Sequence, residues 1–167
     1  MILLDESRSG CPINVSVEVL GDRWSLIVLR DIMFTNRRHF RTLLRESEES
    51  IASNILANRL RDLLAAGLLT RDDPGRGHRV TYSLTEDAIE LVPVMAELAW
   101  WGVRHRPTFA PMRAKAILLH DGGPQMWQAF MEELREQHLG IPLPTPRTIR
   151  VSEQLDAAGA AVLAAIS

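Results

Sequence analysis

The sequence is almost without cysteine and has no apolar run long enough to cross a membrane. Cys11 is the one cysteine among 167 residues, so no disulfide can form within the chain, which fits a reducing compartment. A bilayer-spanning helix needs about 20 consecutive apolar residues, and the opening "MILLDESRSG" carries charge too early for a signal peptide. We therefore expect a cytoplasmic protein that does not act in a membrane and whose core is held by packing alone.

Patterns that would indicate catalysis or metal binding are also lacking. The stretch "HDGG" at 120–123 reads as a turn, because it has neither the lysine nor the Ser/Thr of a phosphate-binding loop. There is no nucleophile motif and no paired carboxylate in an evident cleft, and no histidine stands at zinc-ligand spacing from the cysteine or an acid. The five histidines are His39, His78, His105, His120 and His138. We expect no enzyme activity, no metal and no cofactor.

Positive charge is scarce overall and concentrated in one segment. The net charge is −2, and Lys115 is the sole lysine. Between residues 36 and 85, nine arginines face six acidic residues, a local charge of +3, whereas the rest of the chain is negative. Because a guanidinium fork suits phosphate and guanine, this segment is the candidate for nucleic-acid contact.

Apolar spacing and capping residues predict a series of helices before residue 67. Pro12 stands at the first helical position after Cys11, Gly21 ends that helix, and Asp22 can cap a second helix over 23–34. A short helix is predicted over 39–46, and a fourth over 52–66. Gly67 stands where a helix end favours a left-handed residue. The fourth helix carries an apolar stripe of Leu56, Leu60, Leu63 and Leu64.

The segments after Gly67 read as a hairpin and further helices. Residues 68–71 and 79–84 are predicted strands joined at the turn "DPG". Thr85 can cap a long helix that reaches residue 105 with a kink at Pro93, and its two apolar sides suggest a partner subunit. Then "RPTFAPMR" reads as a linker, followed by helices over 125–138 and 152–166 with a proline-rich break between them.

Helix, short helix, turn, helix and hairpin are the order of a winged helix-turn-helix. The predicted fold class is α+β, mostly helical: a winged helix-turn-helix over 1–106 with a helical C-terminal extension over 107–167. Small polar side chains on the helix at 52–66 can read base edges in the major groove, and the wing at 68–84 can enter the minor groove. The alternative is a winged-helix protein–protein interaction module without DNA binding. The candidate contacts to double-stranded DNA are Arg37, Arg38, Arg41, Ser53, Asn54, Ala57, Asn58, Arg61, Arg76, His78 and Arg79.

Four stretches, "CPINVSVEVLGDRWSLIVLRDIMF", "RRHFRTLLRES", "ILANRLRDLLAAGLLTR" and "RVTYSLTEDAIELVPVMAELAWWG", resemble the HxlR family of bacterial transcriptional regulators, which are relatives of MarR. The resemblance covers about residues 11–104. It implies a winged-helix homodimer that binds operator DNA, with "ASNILANRLRDL" as the recognition helix, "DPGRGHR" as the wing, and the first and long helices as the dimer contacts. Ala52 stands where members often carry a capping serine, which leaves Ser50 as the candidate cap.

Two sets of residues are candidates for sensing an oxidant or a small molecule. Cys11 precedes a helix, whose dipole favours the thiolate, and the resemblance implies a redox or electrophile sensor at this position. The alternative is a small half-buried residue at a helix start. Any disulfide would have to join two subunits or a small thiol. An effector pocket lined by Met95, Trp100, Trp101 and Trp127 is the second candidate, and plain core or dimer packing of these residues is its alternative.

Overall fold

The computed structural model describes residues 9–75, 78–145 and 148–166. The chain divides into two compact units, on either side of the bond between Ala88 and Ile89. The boundary predicted after residue 106 follows α6 inside the second unit, and it stays a prediction. The elements in chain order are α1 (Pro12–Leu20), α2 (Arg23–Thr35), α3 (Phe40–Glu46), α4 (Ser53–Ala65), β1 (Leu69–Asp72), β2 (Thr81–Leu84), α5 (Glu86–Ile89), α6 (Val92–His105), α7 (Ala110–Leu139) and α8 (Val151–Ala165).

The first two helices begin and end at the signals read in the sequence. Pro12 opens α1 and Gly21 follows its last residue, as predicted. The Asp22 carboxylate accepts hydrogen bonds from the backbone N–H groups of Trp24, at 2.8 Å, and Ser25, at 3.1 Å. These bonds satisfy two donors that the first turn of α2 leaves without a helical partner, so the predicted cap is confirmed.

The fourth helix, α4, packs its leucine stripe against α2 and α3. Leu56, Leu60 and Leu63 are buried, while Leu64 is half-buried. Gly67 has a φ of 73° and follows the helix, as predicted, and the N–H of Leu68 donates to the carbonyl of Leu63 at 3.0 Å. At the other end the helix starts after Ala52 without a side-chain cap.

The candidate cap of α4 is a correction. The hydroxyl of Ser50 makes no hydrogen bond among the described residues, so the prediction that it caps α4 is wrong. The backbone of Ser50 is left-handed, with a φ of 54°, and its N–H donates to the carbonyl of Ser47 at 3.2 Å. Ser50 therefore belongs to the turn between α3 and α4 and stands too early to reach the free N–H groups of the helix.

The hairpin is antiparallel, with Leu69 opposite Leu84 and Arg71 opposite Tyr82. Leu69, Tyr82 and Leu84 are buried, and the hairpin contacts α4 and α2. The two predicted strands are confirmed, although β1 starts one residue later than predicted and β2 two residues later. Two antiparallel strands beside a helix-turn-helix make the predicted wing, and the fold class of a winged helix is confirmed.

The long helix predicted to follow Thr85 is broken into two. Thr85 accepts from the N–H of Ala88 at 3.4 Å and donates to the carbonyl of Gly67 at 2.7 Å. The short α5 ends at Ile89, and α6 begins at Val92 with Pro93 in its first turn. Because proline has no N–H to continue a helix, the kink predicted at Pro93 is a complete interruption just before it.

The second unit packs α6 and α8 against α7. Here the prediction of a linker over "RPTFAPMR" is wrong, since α7 starts at Ala110 and carries Pro111 in its first turn. A proline fits that position because the N–H it lacks would have no helical partner. The turn predicted at "HDGG" is a kink inside α7, where Gly123 has a φ of 56° and a ψ of −156°.

The last helix, α8, runs antiparallel to α7 and is held to it by a buried carboxylate. Glu133 of α7 accepts hydrogen bonds from the N–H groups of Val151, at 2.6 Å, and Ser152, at 3.2 Å. Lys115, nearer the start of α7, pairs with Asp156 at 2.6 Å. In the described ranges no helix is both long and apolar enough to span a bilayer.

Candidate nucleic-acid interface

One face of α4 is exposed and carries small polar side chains. At 100° per residue the face lies on the opposite side of the helix from the buried Leu56 and Leu60. It has no large apolar side chain, so nothing obstructs close approach of a partner. Its exposed members are Ser53, Asn54, Ala57, Asn58 and Arg61, the same five residues that the sequence predicted.

Asn58 and Arg61 are joined on this face. A guanidinium nitrogen of Arg61 donates to the side-chain oxygen of Asn58 at 2.5 Å. A guanidinium has only donors, so the amide oxygen of Asn58 must face it and the amide NH₂ is left to donate outward. The pair therefore presents hydrogen-bond donors, which match the N7 and O6 acceptors of guanine and phosphate oxygens.

The preceding helix, α3, adds exposed positive charge. Arg41 was predicted as a contact, and Arg45, one turn later, is exposed as well. Neither side chain has a hydrogen-bond or ion-pair partner among the residues that the structure describes. The sequence reasoning missed Arg45, although its spacing of four from Arg41 was a usable signal.

Arg37, in contrast, is bound within its own chain. Its guanidinium lies 3.6 Å from the carboxylate of Asp31 and donates to Glu46 at 3.1 Å. Asp31 is buried and also accepts from Arg30 at 2.7 Å. Arg37 therefore fastens the end of α2 to α3, and it could reach a phosphate only by giving up these contacts.

Arg38 and His39 are bound to the wing. Arg38 donates to the carbonyl of Tyr82 at 3.1 Å and to the hydroxyl of Ser83. The ring nitrogen Nδ1 of His39 lies 2.9 Å from the carbonyl of Val80. Burial lowers the pKa of Arg38 from its ordinary value, because the low-dielectric surroundings disfavour the charged form.

The wing tip is exposed on both sides of its turn. Gly75 has a φ of 95°, and its carbonyl accepts from the N–H of His78 at 3.2 Å. His78 and Arg79 point no large apolar group at the solvent and are both exposed. Arg76, the predicted tip contact, lies outside the described residues.

The thiol of Cys11 is exposed, so its alternative interpretation as a half-buried packing residue is wrong. Its carbonyl accepts from the N–H of Val15 at 3.0 Å, which places the residue at the N-terminal end of α1 as predicted. On the same helix Ile13 is 75% exposed and Val17 is 58% exposed. The sulfur therefore lies next to an apolar surface that no described residue buries.

The four residues of the predicted effector pocket have different surroundings within the second unit. Met95 is buried, and Trp127 donates its indole N–H to the carbonyl of Leu119 at 2.8 Å. Trp100 stacks on the imidazole of His120, with ring centroids 4.2 Å apart. Trp101 is 51% exposed and lies beneath the guanidinium of Arg106. An aromatic effector site at these residues stays a prediction.

Comparison with known proteins agrees with the winged helix and adds a family. A model of the HxlR-like helix-turn-helix matches residues 19–109. The chain is 27% identical over 113 residues to YybR of Bacillus subtilis, an uncharacterised HTH-type transcriptional regulator, and the match covers 67% of this chain and 89% of YybR.

Two solved structures are also similar. The crystal structure of PA1607 has a TM-score of 0.54 at 30% identity, and the match covers 60% of this chain and 69% of that one. The redox regulator HypR in its oxidised form has a TM-score of 0.52 at 29% identity, and the match covers 59% of this chain and all of HypR. These matches cover little more than half of the chain.

Proposed function

Since the chain belongs to the HxlR-like helix-turn-helix family of transcriptional regulators, we propose that it regulates transcription as a dimer bound to specific double-stranded DNA. In this proposal α4 enters the major groove and reads base edges, and the wing reaches the adjacent minor groove. The contacts are made by Arg41, Arg45, Ser53, Asn54, Ala57, Asn58 and Arg61 of the helix-turn-helix and by Arg76, His78 and Arg79 of the wing.

The polar face of α4 is the observation that supports this proposal most strongly. A helix fits the major groove only if the side chains on its leading face are short or can bond to the DNA. The face from Ser53 to Arg61 meets both conditions. Arg41 and Arg45 are exposed on the neighbouring helix, where they are suited to neutralise phosphates and fix the register.

The test is binding of the chain to a labelled fragment from upstream of its own gene, measured by gel shift and fluorescence anisotropy. Arg61→Ala should weaken specific binding and remove about one charge from the salt slope. Arg113→Ala makes the same change in charge at an exposed position of α7, and it should leave both quantities unchanged.

The competing function, a protein-docking module, makes a different prediction for the same measurement. A protein-docking wing has no need of arginine at its tip, and binding to DNA would then be weak and independent of sequence. If the upstream fragment and a scrambled fragment of equal length compete equally for the chain, the proposed function is wrong.

A second part of the proposal concerns an oxidant. HypR is named a redox regulator, and the exposed Cys11 thiol of this chain is the group that could be oxidised in a corresponding way. Because Cys11 is the one cysteine, its disulfide would join two subunits or a small thiol. We expect diamide to change the DNA affinity of the wild type and not that of Cys11→Ser. An equal response of the two proteins would limit Cys11 to a structural role.

A further inference from the structure

We propose that Arg38 and His39 act as positioning residues that fix the wing against the helix-turn-helix, rather than as residues that contact DNA. The proposal rests on the proposed function, because the wing's position matters only if the wing meets DNA. It changes the role expected of the paired arginines at 37–38. Their charge is used inside the protein, and their effect on DNA would pass through other side chains.

Arg38 binds both backbone groups of one residue of β2. The N–H of Tyr82 donates to the carbonyl of Arg38 at 2.8 Å, and the guanidinium of Arg38 donates to the carbonyl of Tyr82 at 3.1 Å. A second guanidinium nitrogen donates to the hydroxyl of Ser83. Arg38 thus occupies the place of a third strand at the edge of β2, one residue long.

His39 holds the strand nearer to the tip. Its Nδ1 lies 2.9 Å from the carbonyl of Val80, so the proton must be on Nδ1 for a hydrogen bond to form. Val80 directly follows Arg79. The two consecutive residues before α3 therefore hold the chain at 80, 82 and 83, just before it turns into the exposed tip.

The hairpin needs such a support because it is short. Each strand has four residues, and the described sheet has only these two strands. An isolated two-stranded hairpin is marginally stable at best in water. Packing of Leu69, Tyr82 and Leu84 fixes the base of the hairpin, whereas the bonds from Arg38 and His39 act on the strand that leads to Arg79.

Arginine is suited to this place and lysine is not. The planar fork of arginine can donate to a carbonyl and a hydroxyl at once in fixed directions, whereas an ammonium is a point charge on a flexible stem. Arg38→Lys therefore keeps the net charge and removes the two directed bonds. This makes it the variant of choice, because any change in the salt slope of DNA binding then reports on other residues.

The first test needs no DNA. Hydrogen exchange of the amides at 80–82 should be about tenfold faster in Arg38→Lys than in the wild type, while the buried amides of α4 exchange at unchanged rates. Arg113→Lys serves as the matched control and should alter neither region. Ser83→Ala removes one of the bonds and should give a smaller acceleration in the same place. Unchanged exchange at 80–82 in both Arg38→Lys and Ser83→Ala would overturn the proposal.

The second test is a double-mutant cycle on DNA affinity. Arg79→Ala should weaken binding roughly fivefold in the wild type and less than about twofold in Arg38→Lys, because the wing is no longer held at the groove. Equal effects in the two backgrounds would mean that Arg38 does not position the wing. If exchange changes as expected and the wild type binds no specific DNA, the proposed function fails while the support of the wing by Arg38 stands.

Discussion

At the scale of single residues, the arginines of the first unit fall into two groups with different surroundings. Arg41, Arg45 and Arg61 are exposed, whereas others bind acidic or carbonyl groups of the same chain. Arg30 is the most strongly bound, since its guanidinium donates to both carboxylate oxygens of Glu49, at 2.6 and 2.8 Å. The hydrogen bond from Arg30 lowers the pKa of Glu49 from its ordinary value of 4.5, against the opposing effect of burial.

This ion pair predicts a dependence of stability on acid. Because the folded-state pKa of Glu49 is lower than the unfolded one, its contribution is fully present above about pH 4.5 and is lost as the pH falls through the folded-state value. Glu49→Gln removes this contribution, so the variant should lose less of its free energy of unfolding between pH 7 and pH 3. Urea denaturation across that range measures the difference.

The neighbouring glutamate provides the control for that measurement. Glu48 is exposed and has no ion-pair partner among the described residues. Glu48→Gln should therefore follow the wild-type curve. If Glu49→Gln also ran parallel to the wild type over the whole pH range, the bond to Arg30 would contribute nothing to stability.

At the scale of elements, α7 is the least regular part of the fold. Its two segments meet at Gly123, and Pro124 cannot donate a helical hydrogen bond there. The indole N–H of Trp127 donates to the carbonyl of Leu119, close to the interruption. The backbone of Gly123, with positive φ and ψ near −156°, is in a region that side-chain-bearing residues almost never adopt.

The kink predicts opposite effects for two glycine substitutions. A Cβ at Gly123 or at Gly102 would meet no atom within 4 Å, so crowding is excluded at both positions. Gly123→Ala should destabilise the protein by about 1–3 kcal/mol through backbone strain alone. Gly102→Ala, in the ordinary helix α6, should stabilise it by about 0.5–1 kcal/mol. Thermal unfolding of both variants checks the signs, and a neutral Gly123→Ala would mean that the kink can straighten.

At the scale of the whole molecule, exposed apolar side chains indicate a partner subunit. Val94, Leu98 and Trp101 follow one another at helical spacing along the outer face of α6, and each is about half exposed. Ile13 and Val17 are exposed on α1. These are the two helices that the family resemblance assigns to the dimer.

We therefore expect a dimer at micromolar concentration, with an interface above about 2,000 Å². Leu98→Glu should shift it to the monomer, because a buried unpaired carboxylate is costly. Leu163→Glu makes the same change on α8 at nearly equal exposure, 50% against 48%, and should remain dimeric. Sedimentation velocity of the three proteins gives the answer. A wild type that sediments as a monomer contradicts the prediction, as does a loss of dimer in both variants.

Local signals in the sequence determined most of the element boundaries in the first unit. Pro12, Asp22 and Gly67 act through bonds to residues within five positions of themselves, so their effect can be read without the fold. The leucine spacing of α4 likewise determined which face is buried and which is left for DNA. Proline misled the prediction at Pro111, because one residue type both ends helices and opens them, and only the position decides.

The tertiary structure alone decided what each arginine binds. Arg37, Arg38 and Arg41 lie within five residues of one another and look alike in the sequence. Arg37 pairs with Asp31 and Glu46, Arg38 bonds to residues 44 and 45 positions away, and Arg41 is exposed. The partners of Arg38 come near it only because the hairpin packs beside α2, and such a distant approach leaves no local periodicity in the sequence. A charge excess therefore locates a candidate DNA-binding segment, and the packing of the chain determines which of its side chains remain free to use it.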